Sequence, residues 1–229
     1  MLVSLGRPDQ RARRLAEAQA AARAAGFGLV VAEPPAAISA DDDHEAAAER
    51  IARAVAAELA RLRPAVVVSP SPHDIHHGHE TVGRAVRTVL EGAGARPAWW
   101  MWGLWGDLPR PNVYVPFAEP VLARQADALR AYAGEISRND YVTMISARAR
   151  ANAVLGSERV FGFGAPAASR LALAELLTDA RYDGRRWTGT PPRVFDAEAP
   201  LALPGGRGRL LDPWLDAPSA SSLAPPLAD

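Results

Sequence analysis

Cysteine and lysine are both absent from this sequence of 229 residues. The lack of cysteine excludes disulfides, thiolate metal sites and a cysteine nucleophile. All 26 basic residues are arginines, and alanine is abundant. This bias is typical of the codon usage of a GC-rich genome and does not indicate a function. The 26 acidic residues balance them, so the chain has no net field that would favour binding to nucleic acid or to a membrane surface.

Long apolar runs are missing as well. No stretch reaches the roughly 20 residues that span a bilayer, and the first residues lack the charged and apolar regions of a secretory signal. We therefore expect a cytoplasmic protein. The composition becomes rich in proline, glycine and alanine from about residue 191. This change predicts one domain over residues 1–190 and a loosely packed or disordered tail over residues 191–229.

Short apolar segments alternate with segments of helical periodicity. Strands are predicted near residue 2 and over residues 27–34, 64–70, 98–105 and 112–117. Helices are predicted over residues 9–25, 41–62, 77–90, 118–132 and 141–155. Asp9 is a candidate N-cap of the first helix, and Gly26 is its candidate C-terminal stop. The alternation predicts an α/β fold with a mainly parallel sheet flanked by helices.

Four of the five histidines lie in one short segment, as His73, His76, His77 and His79, with Asp74 among them. The segment follows the apolar run VVVSP and precedes a predicted helix. In open α/β sheets, ligands bind beyond the carboxyl ends of the strands. Neutral imidazole is the commonest zinc donor, and Asp74 could be a ligand or could orient a histidine. The spacing alone leaves open a metal or catalytic site and an incidental histidine-rich loop.

The segment DIHHGHETVGRA resembles the D-x-H-P-D-H-x-x-x-G-R-A motif of the LmbE-like (PIG-L) zinc-dependent deacetylases, which remove acetyl groups from N-acetylglucosamine-type substrates. The residues that match in register are Asp74, His76, His79, Gly83, Arg84 and Ala85. The chain is similar to the family over roughly residues 1–165, including an R-x-x-E-x-x-x-A pattern formed by Arg14, Glu17 and Ala21. The resemblance implies a Rossmann-like, mainly parallel sheet flanked by helices.

The resemblance also implies roles for individual residues. His79 would be a ligand of Zn2+, and His76 would stabilise the oxyanion or protonate the leaving amine. Asp74 would orient a histidine, and Arg14 would hold a polar part of the substrate. In the family, zinc polarises the acetyl carbonyl and lowers the pKa of a bound water, and a carboxylate accepts the proton of that water.

The chain departs from the family pattern in two places. His77 and Gly78 stand where the family has Pro and Asp. The family also has an N-terminal strand and an A-H-P-D-D-E loop, ahead of the part that residues 1–26 resemble, which supply two zinc ligands and the general base. We expect this strand and loop to be missing, through truncation or degeneration. The run DDDHE at residues 41–45 is better explained as a helix start, where the helix dipole favours acidic residues, than as a substitute for that loop.

Two other segments have both a structural and a functional interpretation. The run WWMWGLWGD at residues 99–107 suits a strand that is buried by helices, while its end offers Trp105 and Asp107 as platforms for a sugar ring. Arg14 and Glu17 are three residues apart, so they could form a helix-surface pair instead of a substrate contact. Neither pattern decides between its two interpretations.

We therefore expect a zinc-dependent hydrolase that removes an acetyl group from an N-acetylated sugar or glycoside-type substrate, with no nucleic-acid or membrane partner. One alternative is a catalytically degenerate or truncated relative that acts as a non-enzymatic binding protein. Another is a histidine-rich metal carrier. Zinc content and acetate release separate these functions. The sequence leaves the substrate and the oligomeric state open.

Overall fold

The computed structural model describes residues 1–38, 43–94, 96–195 and 208–218. The helices are α1 (Arg11–Ala25), α2 (His44–Leu62), α3 (His77–Gly92), α4 (Glu119–Arg130), α5 (Ala133–Ile136), α6 (Tyr141–Phe161) and α7 (Asp212–Leu215). The strands are β1 (Val66–Pro70), β2 (Ala98–Trp102), β3 (Val113–Phe117), β4 (Leu173–Tyr182), β5 (Trp187–Gly189) and β6 (Arg193–Val194).

The chain forms two compact units. The first unit consists of residues 1–37, 114–176 and 193–200. The second unit consists of residues 38–113, 177–192 and 201–229. The predicted division at residue 190 stays a prediction. Part of the predicted tail lies outside the described residues, and its described part includes β6 and α7.

The sheet of the second unit has β1 paired in parallel with β2, from Val66 opposite Ala98 to Pro70 opposite Trp102. Strand β2 runs antiparallel to β4, which in turn pairs antiparallel with β5. Trp99 and Met101 are fully buried in β2, as expected for a strand that is covered by other elements.

Helices α2 and α3 of the second unit pack against each other. The carboxylate of Asp43 caps α2 by accepting hydrogen bonds from the backbone N–H groups of Glu45 and Ala46, both at 3.0 Å. Burial of the apolar stripe of α2 follows the helical period, at Ala47, Ile51 and Val55. The predicted residues 41 and 42 of this helix lie outside the described residues.

In the first unit, α1 packs against α4, and the strand order is β4–β3–β6. Its core contains two apolar clusters: one of Tyr114, Val160, Ala174 and Leu176, and another of Phe117, Leu122, Ala149 and Leu173. Gly26 ends α1 with a positive φ of 76°, which confirms its predicted role as the stop residue. The predicted N-cap is wrong, because Asp9 lies within a 3-10 turn, Pro8–Gln10, and α1 begins at Arg11.

Two predicted strands of the first unit are reduced to a single parallel bridge between Leu2 and Val31. Conversely, the sequence pattern does not predict β4. The residues of β4 begin as LAELL, which favours a helix by intrinsic propensity, and strand pairing overrides that preference.

The predicted fold class is confirmed: the fold is α/β, and its sheet is flanked by helices. The sheet is mixed, because β4 runs antiparallel to both β2 and β5. Within the described ranges, none of the helices combines the length and the apolar character that crossing a bilayer requires.

Candidate active site

The histidine segment lies in the second unit, directly after β1. Strand β1 ends at Pro70, and α3 begins at His77, so the six residues from Ser71 to His76 form the connecting loop. Ser69 is buried at the end of β1 and accepts a hydrogen bond from the indole N–H of Trp99 at 2.8 Å. The predicted placement of the histidines at the carboxyl end of this strand is therefore confirmed.

The carboxylate of Asp74 organises the loop. Its Oδ1 accepts a hydrogen bond from the backbone N–H of His76 at 3.1 Å. Its Oδ2 accepts from the backbone N–H groups of Leu104 and Trp105, at 2.9 and 3.3 Å. The residue is only 1% exposed, and a buried carboxylate needs such donors because it has lost its water. Asp74 thus joins the histidine loop to the segment that follows β2.

Asp74 also faces the ring of His79. The Nδ1 atom of His79 lies 3.4 Å from Oδ1 of Asp74, close enough for an ion pair but too poorly aligned for a hydrogen bond. Burial raises the pKa of Asp74, but its contacts with His79 and with the amides of Leu104 and His76 outweigh burial, so the pKa is lowered overall. The nearby carboxylate favours a proton on Nδ1 electrostatically, and this tautomer leaves the lone pair on Nε2, where a metal or a substrate proton could bind.

His76 caps helix α3. Its Nδ1 accepts a hydrogen bond from the backbone N–H of Gly78 at 3.2 Å, so the neutral ring carries its proton on Nε2. Gly78 stands where the family has Asp. A Cβ atom at this position would lie 3.2 Å from Cε1 of His76, which is tighter than usual carbon contacts. The glycine therefore leaves room for the capping ring.

Four imidazole rings form a row, in which the first two neighbouring pairs are stacked and the His76–His79 pair is tilted by 41°. The ring of His44 lies 5.4 Å from that of His77, with an angle of 6° between their planes. The ring of His77 lies 4.6 Å from that of His76, which lies 4.7 Å from that of His79. Sequence reasoning missed the proximity of His44, because packing of α2 against α3 brings together two residues that are distant in the chain. Its location at the start of α2 agrees with the structural interpretation of DDDHE.

Two tryptophans border the row of histidines, one at His76 and one at His79. The ring of Trp102 meets that of His79 edge-on, with centroids 5.1 Å apart. The ring of Trp105 lies 6.5 Å from that of His76 in a nearly parallel orientation, and the residue is 47% exposed. Asp107, the second candidate platform, is also exposed. The exposed indole of Trp105 thus provides an apolar surface beside His76.

His73 packs differently from the other histidines of the segment. Its ring lies 5.4 Å from that of Trp214. Burial lowers the pKa of His73, although a backbone contact with Leu215 and the charge of Glu80 oppose this effect. These contacts indicate a packing role for His73.

The G-R-A end of the motif has a structural explanation. A Cβ atom on Gly83 would lie 2.6 Å from the backbone nitrogen of Pro72, so only glycine lets α3 approach the loop this closely. Arg84 is largely exposed and pairs with Glu80, while Ala85 is buried. Of these three residues, Gly83 supports the loop by allowing the close packing of α3.

Arg14, the predicted substrate contact, lies in α1 of the first unit. Its guanidinium pairs with Glu135 at 3.1 Å and donates a hydrogen bond to the side chain of Gln10 at 3.2 Å. Glu17 instead accepts a hydrogen bond from the backbone N–H of Gly134 at 3.3 Å. Both side chains therefore contact the α5 segment. The substrate-binding role of Arg14 stays a prediction, as do the roles of His76, Asp74 and His79.

The described residues do not fit a complete zinc centre. Catalytic zinc in proteins usually has three protein ligands and one open position. In the part of the chain that the structure describes, no three His, Asp or Glu side chains converge to hold an ion. Both carboxylate oxygens of Asp74 accept hydrogen bonds from backbone amides, and Nδ1 of His76 accepts one from Gly78. Among the three predicted site residues of the loop, the Nε2 atom of His79 is the candidate ligand that these hydrogen bonds leave.

Part of this chain, including the histidine loop, is similar to a known protein family. Residues 5–90 match the family model described as PIG-L: GlcNAc-PI de-N-acetylase, so this part of the chain is similar to that family. The match includes the whole histidine motif but is shorter than the expected residues 1–165.

A solved structure supports the fold over a longer range. The crystal structure of the conserved protein TT1542 from Thermus thermophilus is similar to this chain, with a TM-score of 0.52 and 19% sequence identity. The similarity covers 77% of this chain and 75% of that protein. At this identity the likeness establishes the fold alone. No curated protein matches the sequence significantly.

Proposed function

We propose that this protein is an N-deacetylase that hydrolyses the acetamido group of an N-acetylated sugar or glycoside-type substrate, with Zn2+ as its cofactor and His79 as one ligand. The observation that carries the proposal is the grouping of Asp74, His76 and His79 beyond β1, within the residues that match the PIG-L family model. The family description names a de-N-acetylase, which suggests deacetylase-type chemistry on an N-acetylated substrate.

The proposed reaction is hydrolysis of an amide. The oxygen of water adds to the acetyl carbon, the C–N bond breaks, acetate leaves, and the amine nitrogen takes up a proton. His76 suits the carbonyl side of this reaction, because its cap bond with Gly78 leaves the ring proton on Nε2. That N–H can donate to the oxyanion as it develops, or transfer a proton to the leaving amine from the imidazolium form.

Asp74 acts through other groups and is a positioning residue. It holds the backbone of His76 and faces Nδ1 of His79, so both rings depend on one buried carboxylate. Such partners commonly orient a histidine and increase the basicity of its other nitrogen. Loss of Asp74 should therefore displace both histidines.

Trp105 is the proposed platform for the sugar ring. Its indole is exposed and lies beside His76, so a pyranose that stacked on it would present a substituent to the histidines. Ligand sites usually combine such an aromatic surface with a few polar groups. Arg14 stays a proposed substrate contact, and it would have to share or exchange its pairing with Glu135.

Zinc content and acetate release together test the proposal. The proposal requires that the purified chain bind zinc through His79, although the described residues supply no complete set of ligands, and that it release acetate from N-acetylglucosamine or its glycosides. The His79→Ala variant should lose most of the bound zinc and the activity. His73→Ala is the matched control, because His73 packs against Trp214, and it should retain zinc.

Two outcomes would contradict the proposal. A chain that binds zinc no more tightly than its His79→Ala variant would argue against zinc at this site. A folded chain that binds N-acetylated sugars without releasing acetate would instead be a binding protein, which is the alternative function. The expected cytoplasmic location and the absence of nucleic-acid and membrane partners stay predictions.

A further inference from the structure

Helix α6 of the first unit has an apolar outer face. Its inner face is buried through residues such as Ala149, Gly156 and Val160. On the outer face, Val154 is 77% exposed and Phe161 is 40% exposed, and Phe163, two residues beyond the end of the helix, is completely exposed. A single exposed apolar residue is ordinary, but several large ones on one helix are typical of a contact surface.

The residues of this outer face have a symmetric spacing. In order along the helix they are Ala147, Arg150, Val154, Glu158 and Phe161. The intervals are three, four, four and three residues, so all five share one stripe and the pattern is the same in both directions from Val154. We call this set the α6 stripe. This symmetry suits an antiparallel contact between two identical helices, because each member of the stripe then lies opposite another member.

Two antiparallel copies of the α6 stripe complement each other. With a two-fold axis at Val154, the two valines meet at the centre, and Arg150 lies opposite the partner's Glu158. The same axis places Phe161 opposite the partner's Ala147, a large side chain against a small one. Both pairs occur twice in such an isologous interface. Parallel pairing would lose this charge complementarity.

The contacts that these charged residues make within one chain are compatible with the pairing. Arg150 pairs with Glu119 at 3.0 Å, and both side chains are more than half exposed. An arginine has five N–H donors, so Arg150 can keep this pair and add the partner's Glu158. Glu158 accepts a hydrogen bond from the backbone N–H of Gly164 through Oε1, and its second oxygen can accept from an arginine.

We propose that the α6 stripe is the contact surface of a homodimer, in which α6 packs antiparallel against α6 of a second copy of this chain. The charge balance of the stripe favours this occupant. It carries one basic and one acidic residue, whereas a surface for anionic lipid is expected to carry an excess of basic residues. The proposal is independent of the enzymatic function, because it uses no residue of the histidine loop.

Cross-linking of the full-length chain tests the position of the two-fold axis. The natural sequence has no cysteine, so a single introduced thiol reports on one position. Val154→Cys should be cross-linked to a covalent dimer by a short bis-maleimide. Val121→Cys is the matched control, because Val121 is an exposed valine on α4, and it should stay monomeric on a denaturing gel.

Charge reversal tests the pairing itself. In sedimentation experiments at about 1–100 µM, Arg150→Glu or Glu158→Arg alone should raise the dimer Kd by about tenfold or more. The double variant should restore the dimer, because it exchanges the two charges. Arg124→Glu, on the exposed side of α4, should leave the Kd unchanged. Circular dichroism verifies that each variant is folded.

Three results would overturn the proposal. The first is a wild-type chain that is monomeric over the whole concentration range, whether or not it binds anionic vesicles. The second is a dimer that survives Val154→Arg with an unchanged Kd. The third is a double charge reversal that dimerises no better than the single variants.

Discussion

The histidine loop and the Arg14 segment both match the family pattern, but the structure holds them in different ways. In the loop, one buried carboxylate accepts three backbone hydrogen bonds and faces a histidine ring. Arg14 instead forms an ion pair with Glu135, and 36% of its side chain is exposed. The two regions belong to different units of the chain.

The difference shows how strongly the surrounding structure holds each side chain in its conformation. Moving Asp74 would leave buried N–H groups without an acceptor, which costs far more than breaking a solvent-screened pair. The geometry of the loop should therefore be nearly the same with and without substrate. Arg14 can exchange its partner at little cost, as a residue that contacts a substrate would need to do.

Removal of the buried carboxylate should have the largest effect. We expect Asp74→Ala to lower the free energy of unfolding by about 3–5 kcal/mol, because three backbone donors lose their acceptor. Asp43→Ala is the matched control: Asp43 also accepts two backbone hydrogen bonds, but it is exposed, so about 1 kcal/mol is expected. Denaturant unfolding measures both. If Asp74→Ala and Asp43→Ala lowered the free energy of unfolding equally, burial of the carboxylate would not explain the effect.

The close approach of α3 to the loop gives the second prediction. Gly83→Ala should destabilise the protein by about 1–3 kcal/mol, because the new Cβ atom would overlap the backbone of Pro72. Gly92→Ala in the same helix meets nothing within 4 Å and should gain up to about 1 kcal/mol from helix propensity. If Gly83→Ala and Gly92→Ala changed the free energy of unfolding in the same direction, the role of Gly83 in supporting the loop would be refuted.

Arg14 should be tolerant to substitution. We expect Arg14→Met to change the free energy of unfolding by at most about 1 kcal/mol, since the ion pair with Glu135 is partly exposed. If Arg14 binds substrate, the same change should raise KM for acetate release while kcat changes less. Arg13→Met, on the same helix, is the control for loss of charge. A large loss of stability with unchanged KM would make Arg14 a structural residue.

The smallest effect concerns pH and contrasts two carboxyl groups. The pKa of Asp74 is lowered, so its contribution to stability is present above pH 3.8 and is lost as the pH falls through the pKa of the folded state. Burial raises the pKa of Glu175, partly opposed by the amide of Leu176 and by Arg148, so its contribution is present below pH 4.5 and is lost as the pH rises.

Replacement of Glu175 tests the direction of its pKa shift. Glu175→Gln keeps the side-chain oxygen and removes the charge, so the variant should gain stability relative to the natural chain as the pH rises above 4.5. Glu49→Gln, at an exposed position on α2, should show no such trend. Unfolding curves between pH 4 and pH 8 provide the comparison. A gain that grows towards acid pH would contradict the raised pKa.

Local signals predicted much of the fold. Gly26 ends α1, and the apolar run before the histidines forms β1, because turn residues and periodicity act within a few positions. Local signals do not predict strand β4, because its alanine, leucine and glutamate residues favour a helix. Pairing with β2 and β5 makes this segment extended. Likewise, the short helix α7, which contains the Trp214 that packs against His73, lies in the predicted tail.

The sequence by itself determined the register of Asp74, His76 and His79, because these residues belong to one loop and one helix start. Tertiary structure decided what Asp74 binds, since the amides of Leu104 and Trp105 reach it from a segment about 30 positions away. It also placed His44 on the histidine stack. The physical reason is the same in both cases: a local pattern specifies caps and turns, whereas the partner of a buried group depends on which strands and helices pack together.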